Sequence, residues 1–151
     1  MLLLTRRAAL ATAAGLALTL PVLAEDKPKT KVEFRRAETT ASKELTEATV
    51  AGTKDKVYLY KTADLTAVDI DSVLVAGDAK NPTIEITFTE AGAKKAAKMS
   101  EDHINKPVAI VVDGKVIAAP VVRVKLGAMI RISGHFTEGE AKNIAKAING
   151  K

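Results

Sequence analysis

Two histidines, no cysteine and a scattering of carboxylates bound the chemistry open to this sequence. Nucleophilic catalysis needs a Ser, Thr or Cys set against a base. Ser133-Gly134-His135 is the one local arrangement of that kind, without a Gly-x-Ser-x-Gly elbow, and Ser133 and His135 read as surface neighbours. A zinc site needs three or four ligands, and Asp102-His103 has no matching partner. It reads as a helix end, where a histidine favours the negative dipole. Asp64, Asp69, Asp71 and Asp78 lack the Asp/Asn alternation, glycine and closing glutamate of a calcium loop, so they read as solvated turn carboxylates. No Gly-rich phosphate loop is present; Gly114, Gly127 and Gly134 fall where strands turn or end. No catalytic residue, metal or cofactor is assigned, and the protein is not expected to be an enzyme.

One basic cluster remains. Arg123 and Lys125 alternate with Val122, Val124 and Leu126, and with Arg131 they make a positive stripe on one sheet face. That stripe reads as a solvated face or as a site for an acidic partner.

The elements around these residues follow from periodicity and punctuation. Arg6-Arg7, the apolar run Ala8 to Leu20, Pro21 and Val22-Leu23-Ala24 have the parts of a cleavable export signal spanning 1–24, with a twin-arginine type and the general secretory type both open. Removing it leaves 127 of the 151 residues and takes two cations from a net charge of +5, leaving +3. So small an excess does not argue for nucleic acid or for anionic lipid, and no nucleic-acid partner is expected. No second long apolar run follows, so no membrane span is expected after cleavage, and the product is expected in the periplasm or secreted. Residues 25–31 read as a flexible, charged leader.

Beyond the leader, Val32 to Arg36, Val57 to Tyr60 and Ser72 to Ala76 read as strands, while residues 37–56 are mixed and read mainly as loop. Thr83 to Phe88 alternates cleanly, with Ile84, Ile86 and Phe88 on one face. Thr89 stands as an N-cap for a helix to about His103, with Gly92, Ala96 and Met99 on its inner stripe. Val108 to Val112 and Val116 to Val121, joined by Asp113-Gly114, predict a hairpin with a type I′ turn, and Pro120 predicts a bulge or an edge. Val121 to Leu126 then reads as a half-buried edge stretch, and Met129 to Ser133 as a further strand. Thr137 and Glu140 form a capping box, preceded by Phe136 as a staple, for a helix burying Ala141, Ile144, Ala145 and Ile148, with Gly150 as its cap. The sum is an α+β domain: a mostly antiparallel sheet with two main helices packed on one face.

Three ordered motifs carry a resemblance. Lys106 to Pro120, containing Val-Ala-Ile-Val-Val-Asp-Gly-Lys-Val-Ile-Ala-Ala-Pro, resembles the hairpin signature of the SecD subunit of the bacterial protein translocase. Ile132 to Ala141 is similar to that family's Gly-x-Phe-Thr-x-x-Glu-Ala element, built here from Gly134, Phe136, Thr137 and Glu140. Phe88 to Lys95 resembles the helix opening of the same region and Val32 to Arg35 its entry strand, so the likeness covers 32–150. It implies the head subdomain of the family's large extracytoplasmic domain, which contacts polypeptides emerging from the channel. Ala96 stands where the family leads one to expect a larger apolar residue. The motor's intramembrane carboxylates and the companion base subdomain are missing from this sequence, so the expectation is a detached head-like module.

The expected function is therefore a non-enzymatic periplasmic module that binds extended polypeptide or an envelope complex, with Pro120, Val122, Arg123, Val124 and Lys125 as its partner-binding edge. On that reading, Pro120→Ala with Val122→Asp weakens peptide binding and spares the fold. The alternatives are a structural subunit of an envelope assembly with no client, and a small enzyme or metal protein.

Overall fold

A computed structural model describes residues 30–134 and 136–149. The export signal at 1–24, most of the leader, His135 and the Gly150 cap lie outside the described residues. The strands are β1 Val32–Glu38, β2 Thr46–Thr49, β3 Lys56–Leu59, β4 Leu65–Thr66, β5 Ile70–Gly77, β6 Pro82–Phe88, β7 Val108–Val112, β8 Lys115–Ala118 and β9 Met129–Ser133. The helices are α1 Glu90–Glu101 and α2 Glu138–Asn149, and a 3-10 turn, Ala67–Asp69, links β4 to β5. The fold is α+β, and every strand pair among the described residues is antiparallel. The strands divide between two sheets. One has the order β2-β3-β1-β7-β8 with β4 also on β1, and the other the order β5-β6-β9.

One core joins the inner faces of both sheets to both helices. Phe34 and Ile110 from the larger sheet meet Ile84, Ile86 and Ile132 from the smaller, with Ala96 and Met99 of α1 and Ala141 and Ile148 of α2. The alternation of β6 is realised, with Ile84, Ile86 and Phe88 buried and the residues between them half-buried. Thr89 caps α1 by accepting the Gly92 amide at 3.0 Å. A second, smaller cluster on the other side of β1 and β7 gathers Ala37, Val57, Leu59, Ala109, Val111 and Val116. The segment read mainly as loop supplies β2 to this side. Its strand is four residues long and three of them are exposed, so little apolar alternation marks it in the sequence.

Local chemistry sets the boundaries. Asp113 and Gly114 both take positive φ, 49° and 82°, as the type I′ turn requires. Asp113 also anchors the entry strand: its amide donates to the Lys31 carbonyl and its carboxylate accepts the Lys31 amide, each at 2.8 Å. Lys31, the last residue of the leader as read from sequence, is thus tied to the hairpin. The capping box of α2 forms as expected, with the Thr137 amide donating to Glu140 at 2.7 Å and the Glu140 amide donating to Thr137 Oγ1 at 3.2 Å.

Two sequence readings need correction, and a third gains a burial that the sequence does not announce. Val121 to Leu126 is not a strand: only a single bridge, Pro107 to Val121, marks it, and Val122 is 7% exposed. His103 does follow the end of α1, after the C-cap Asp102, and it is also buried, with Nε2 at 2.9 Å from the Ala37 carbonyl and 3.1 Å from that of Pro107. Asp69 is also buried, paired with Lys95 at 2.7 Å, and Asp64 pairs with Arg36 at 3.0 Å. Those two carboxylates hold the fold together and are not simply solvated.

Candidate functional site

The open backbone edges of the smaller sheet decide where an extended partner can pair. In β5-β6-β9 the edges are β5 and β9. The β5 edge is capped at Val73 by a side chain: Asn149 Nδ2 donates to the Val73 carbonyl at 2.6 Å, and the Val73 amide donates to Asn149 Oδ1 at 3.0 Å. The amide thereby does what a neighbouring peptide unit would do, blunting an edge that otherwise invites pairing.

The β9 edge has no such cover among the described residues. The Phe88 amide donates to the Ala128 carbonyl at 2.8 Å, and the register continues Thr87 to Met129, Ile86 to Ile130 and Ile84 to Ile132. Hydrogen-bonded pairs alternate along an antiparallel ladder, so Ile130 and Ile132 spend their backbone groups on β6. Those of Met129, Arg131 and Ser133 then point away from the sheet.

A cleft runs along this edge. It is lined by Ile130, Arg131 and Ile132 on one side and by Pro120 to Val124 and Leu126 on the other, with Val108 and Ile110 at its floor. Successive strand residues point to opposite faces, so a cleft touched by three in a row follows the edge of β9 and not one of its faces. The far wall is fixed by its own bonds. Val108 donates to the Pro120 carbonyl at 3.0 Å, Val122 to that of Lys106 at 3.0 Å, and Leu126 to the buried Ser100 hydroxyl at 2.8 Å. Val124 and Met129, at 68% and 63% exposure, leave apolar surface at the rim.

Four of the five residues proposed from sequence as an edge are therefore part of the wall of a cleft. Pro120, Val122, Arg123 and Val124 line it, Val122 as part of the core, while Lys125 turns out to pair with Glu101 at 2.7 Å. The positive stripe is largely neutralised: Arg131 pairs with Glu85, and Arg123 donates to the Asn105 amide oxygen at 3.3 Å. Sequence reasoning marked β9 as a strand but missed it as the edge. Nothing in Met-Ile-Arg-Ile-Ser distinguishes an edge from a middle strand. Asp113 and Gly114 make the hairpin turn, Gly134 follows β9, and Phe136, Thr137 and Glu140 open α2.

This is an α+β module with an open strand edge above an apolar cleft, and among the described residues no three His, Cys, Asp or Glu gather as metal ligands. Residues 38–151 match the sequence model of the SecDF P1 head subdomain, and the chain belongs to that family. Among its relatives are the protein translocase subunit SecD of Elusimicrobium minutum, 37% identical over 90 residues, and that of Aquifex aeolicus, 35% identical over 86. These alignments cover 58% and 56% of this chain but only 19% and 17% of the relatives. A crystal structure of SecDF in its super-membrane-facing form matches 80% of this chain with a TM-score of 0.63 at 26% identity, and this covers 18% of that structure. A second SecDF structure, of a membrane component that enhances protein export, matches 80% with a TM-score of 0.61 at 25% identity, over 62% of its chain. No helix among the described residues is long and apolar enough to cross a membrane.

Proposed function

We propose that this domain serves protein export as a non-enzymatic, extracytoplasmic binding module that holds an extended polypeptide along the open edge of β9. The observation that carries the reading is the cleft beside that edge, walled by Pro120 to Val124 and floored by Val108 and Ile110. An added strand would recover the hydrogen bonds that Met129 and Arg131 leave open, and its alternate side chains would enter the apolar cleft. Backbone pairing is indifferent to sequence, which suits a domain whose relatives are translocase subunits. Residues 1–24 are read as the export signal that delivers it, and residues 32–150 as the working domain.

Arg131→Pro tests the edge, because it removes one outward amide donor and no ladder bond to β6. We expect the variant to keep its circular dichroism spectrum and to lose binding of a reduced, carboxymethylated unfolded protein. Undiminished binding would move the contact away from the β9 edge, and a wild-type domain that binds no unfolded protein would favour the structural-subunit reading. Capture from the periplasm separates the two: a mixed set of unfolded clients supports the edge, and one stoichiometric folded partner opposes it.

A further inference from the structure

Resting on the edge reading above, we propose that the segment held along β9 carries an acidic residue flanked on each side by apolar ones, with the acid set beside Arg131. The strand register of the smaller sheet places Leu74 against Glu85 and Glu85 against Arg131. A strand added beyond β9 extends that row by one residue. Opposed side chains on neighbouring strands lie within contact, so opposite charges there attract and like charges repel.

Arg131 is equipped for a second carboxylate. Glu85 takes its Nε and Nη2 donors, and Nη1 makes no hydrogen bond with the described residues. The side chain is 67% exposed, so a partner can reach it without displacing the core. Arg123 on the far wall adds a cation that, among the described residues, donates to the Asn105 amide oxygen and pairs with no carboxylate. The residues on either side of the acid alternate to the inner face, where Val108, Ile110 and Leu126 line the cleft. The recognised pattern is thus apolar, acidic, apolar. A second copy of this chain fits less well, because pairing β9 along its full length with itself would set Arg131 against Arg131.

Isothermal titration of the purified chain with three blocked peptides tests the proposal: Val-Thr-Val-Asp-Val-Thr-Val and its counterparts with central Lys or Thr. We expect the Asp peptide to bind about fivefold tighter than the Lys peptide. The order should reverse in the double variant Glu85→Arg with Arg131→Glu, which keeps the ion pair inside the sheet and so keeps the fold. Equal binding of all three peptides, unchanged by the swap, overturns the acidic requirement and leaves the edge intact. Failure of all three to bind overturns both. A wild-type chain that sediments as a dimer, and as a monomer when Arg131→Pro is introduced, would give the edge to a second copy and overturn the proposal.

Discussion

At the scale of single residues, two buried polar groups do what the sequence would assign to surface ones. His103 is 3% exposed, and because Nε2 lies between two carbonyl acceptors it must carry the proton. It ties the end of β1 to the start of β7. His103→Ala takes the donor from the buried Ala37 carbonyl, while that of Pro107 still accepts the Ala37 amide, and it opens a cavity, so we expect a loss of about 3 kcal/mol, read from the urea unfolding midpoint. Asp69 is the acidic counterpart. Burial disfavours its charge, but the Lys95 ammonium and the Thr66 amide and hydroxyl outweigh burial and hold its carboxyl below the usual range. At Glu33, the hydrogen bond from Lys31 acts most strongly and, with Arg35, prevails over burial in the same direction. A depressed carboxylate contributes stability above its unfolded value and loses it as pH falls through the folded one. The melting temperature should therefore hold between about pH 7 and pH 5 and fall below about pH 4, with a shallower fall in Asp69→Asn.

At the scale of elements, close approach decides the sign of a substitution. In an exposed helix Gly→Ala stabilises by about 1 kcal/mol. At Gly92 an added Cβ would lie 2.0 Å from the Asp69 carbonyl oxygen, a backbone atom that cannot swing aside. We expect Gly92→Ala to destabilise by about 2 kcal/mol, as α1 is pushed off the 3-10 turn, with thermal unfolding as the check. The two edges of the small sheet offer a contrasting case. Asn149→Ala leaves the Val73 amide and carbonyl unpaired and opens the β5 edge. Stability should fall by about 1 kcal/mol, and light scattering should show concentration-dependent association absent from the wild type.

At the scale of the whole molecule, two clusters share the central pair β1 and β7, one on each face. Val122 belongs to the larger cluster even though its neighbours Val121 and Val124 are exposed. The double substitution Pro120→Ala with Val122→Asp, which the sequence alone recommends as a gentle probe, would bury an unpaired carboxylate. It should cost about 3 kcal/mol or more, and its chemical unfolding midpoint should drop accordingly, so it cannot serve to test binding. The proposed export signal is tested on the whole chain: we expect the mature protein to begin at Glu25, and amino-terminal sequencing that returns Met1 would remove the cleaved-signal reading.

Local rules written into adjacent residues settled much of this fold from sequence. The β6 alternation, the Thr89 and Thr137 caps, the Asp113-Gly114 turn and the inner stripes of both helices each depend on residues within a few positions of one another. The family was legible in the same way, since the resemblance rested on these hairpin and cap segments, and residues 38–151 match its model. The short β2 escaped because four mostly exposed residues carry no periodic signal. Which edge stays open depended on contacts between residues far apart. Asn149 reaches Val73 across 76 positions, and Ser100 fixes Leu126 across 26, drawing that segment out of a strand. Such long-range hydrogen bonds satisfy backbone groups that local pattern leaves unassigned. Only the tertiary structure therefore moved the candidate site from the Pro120 to Lys125 stretch to the β9 edge that faces it.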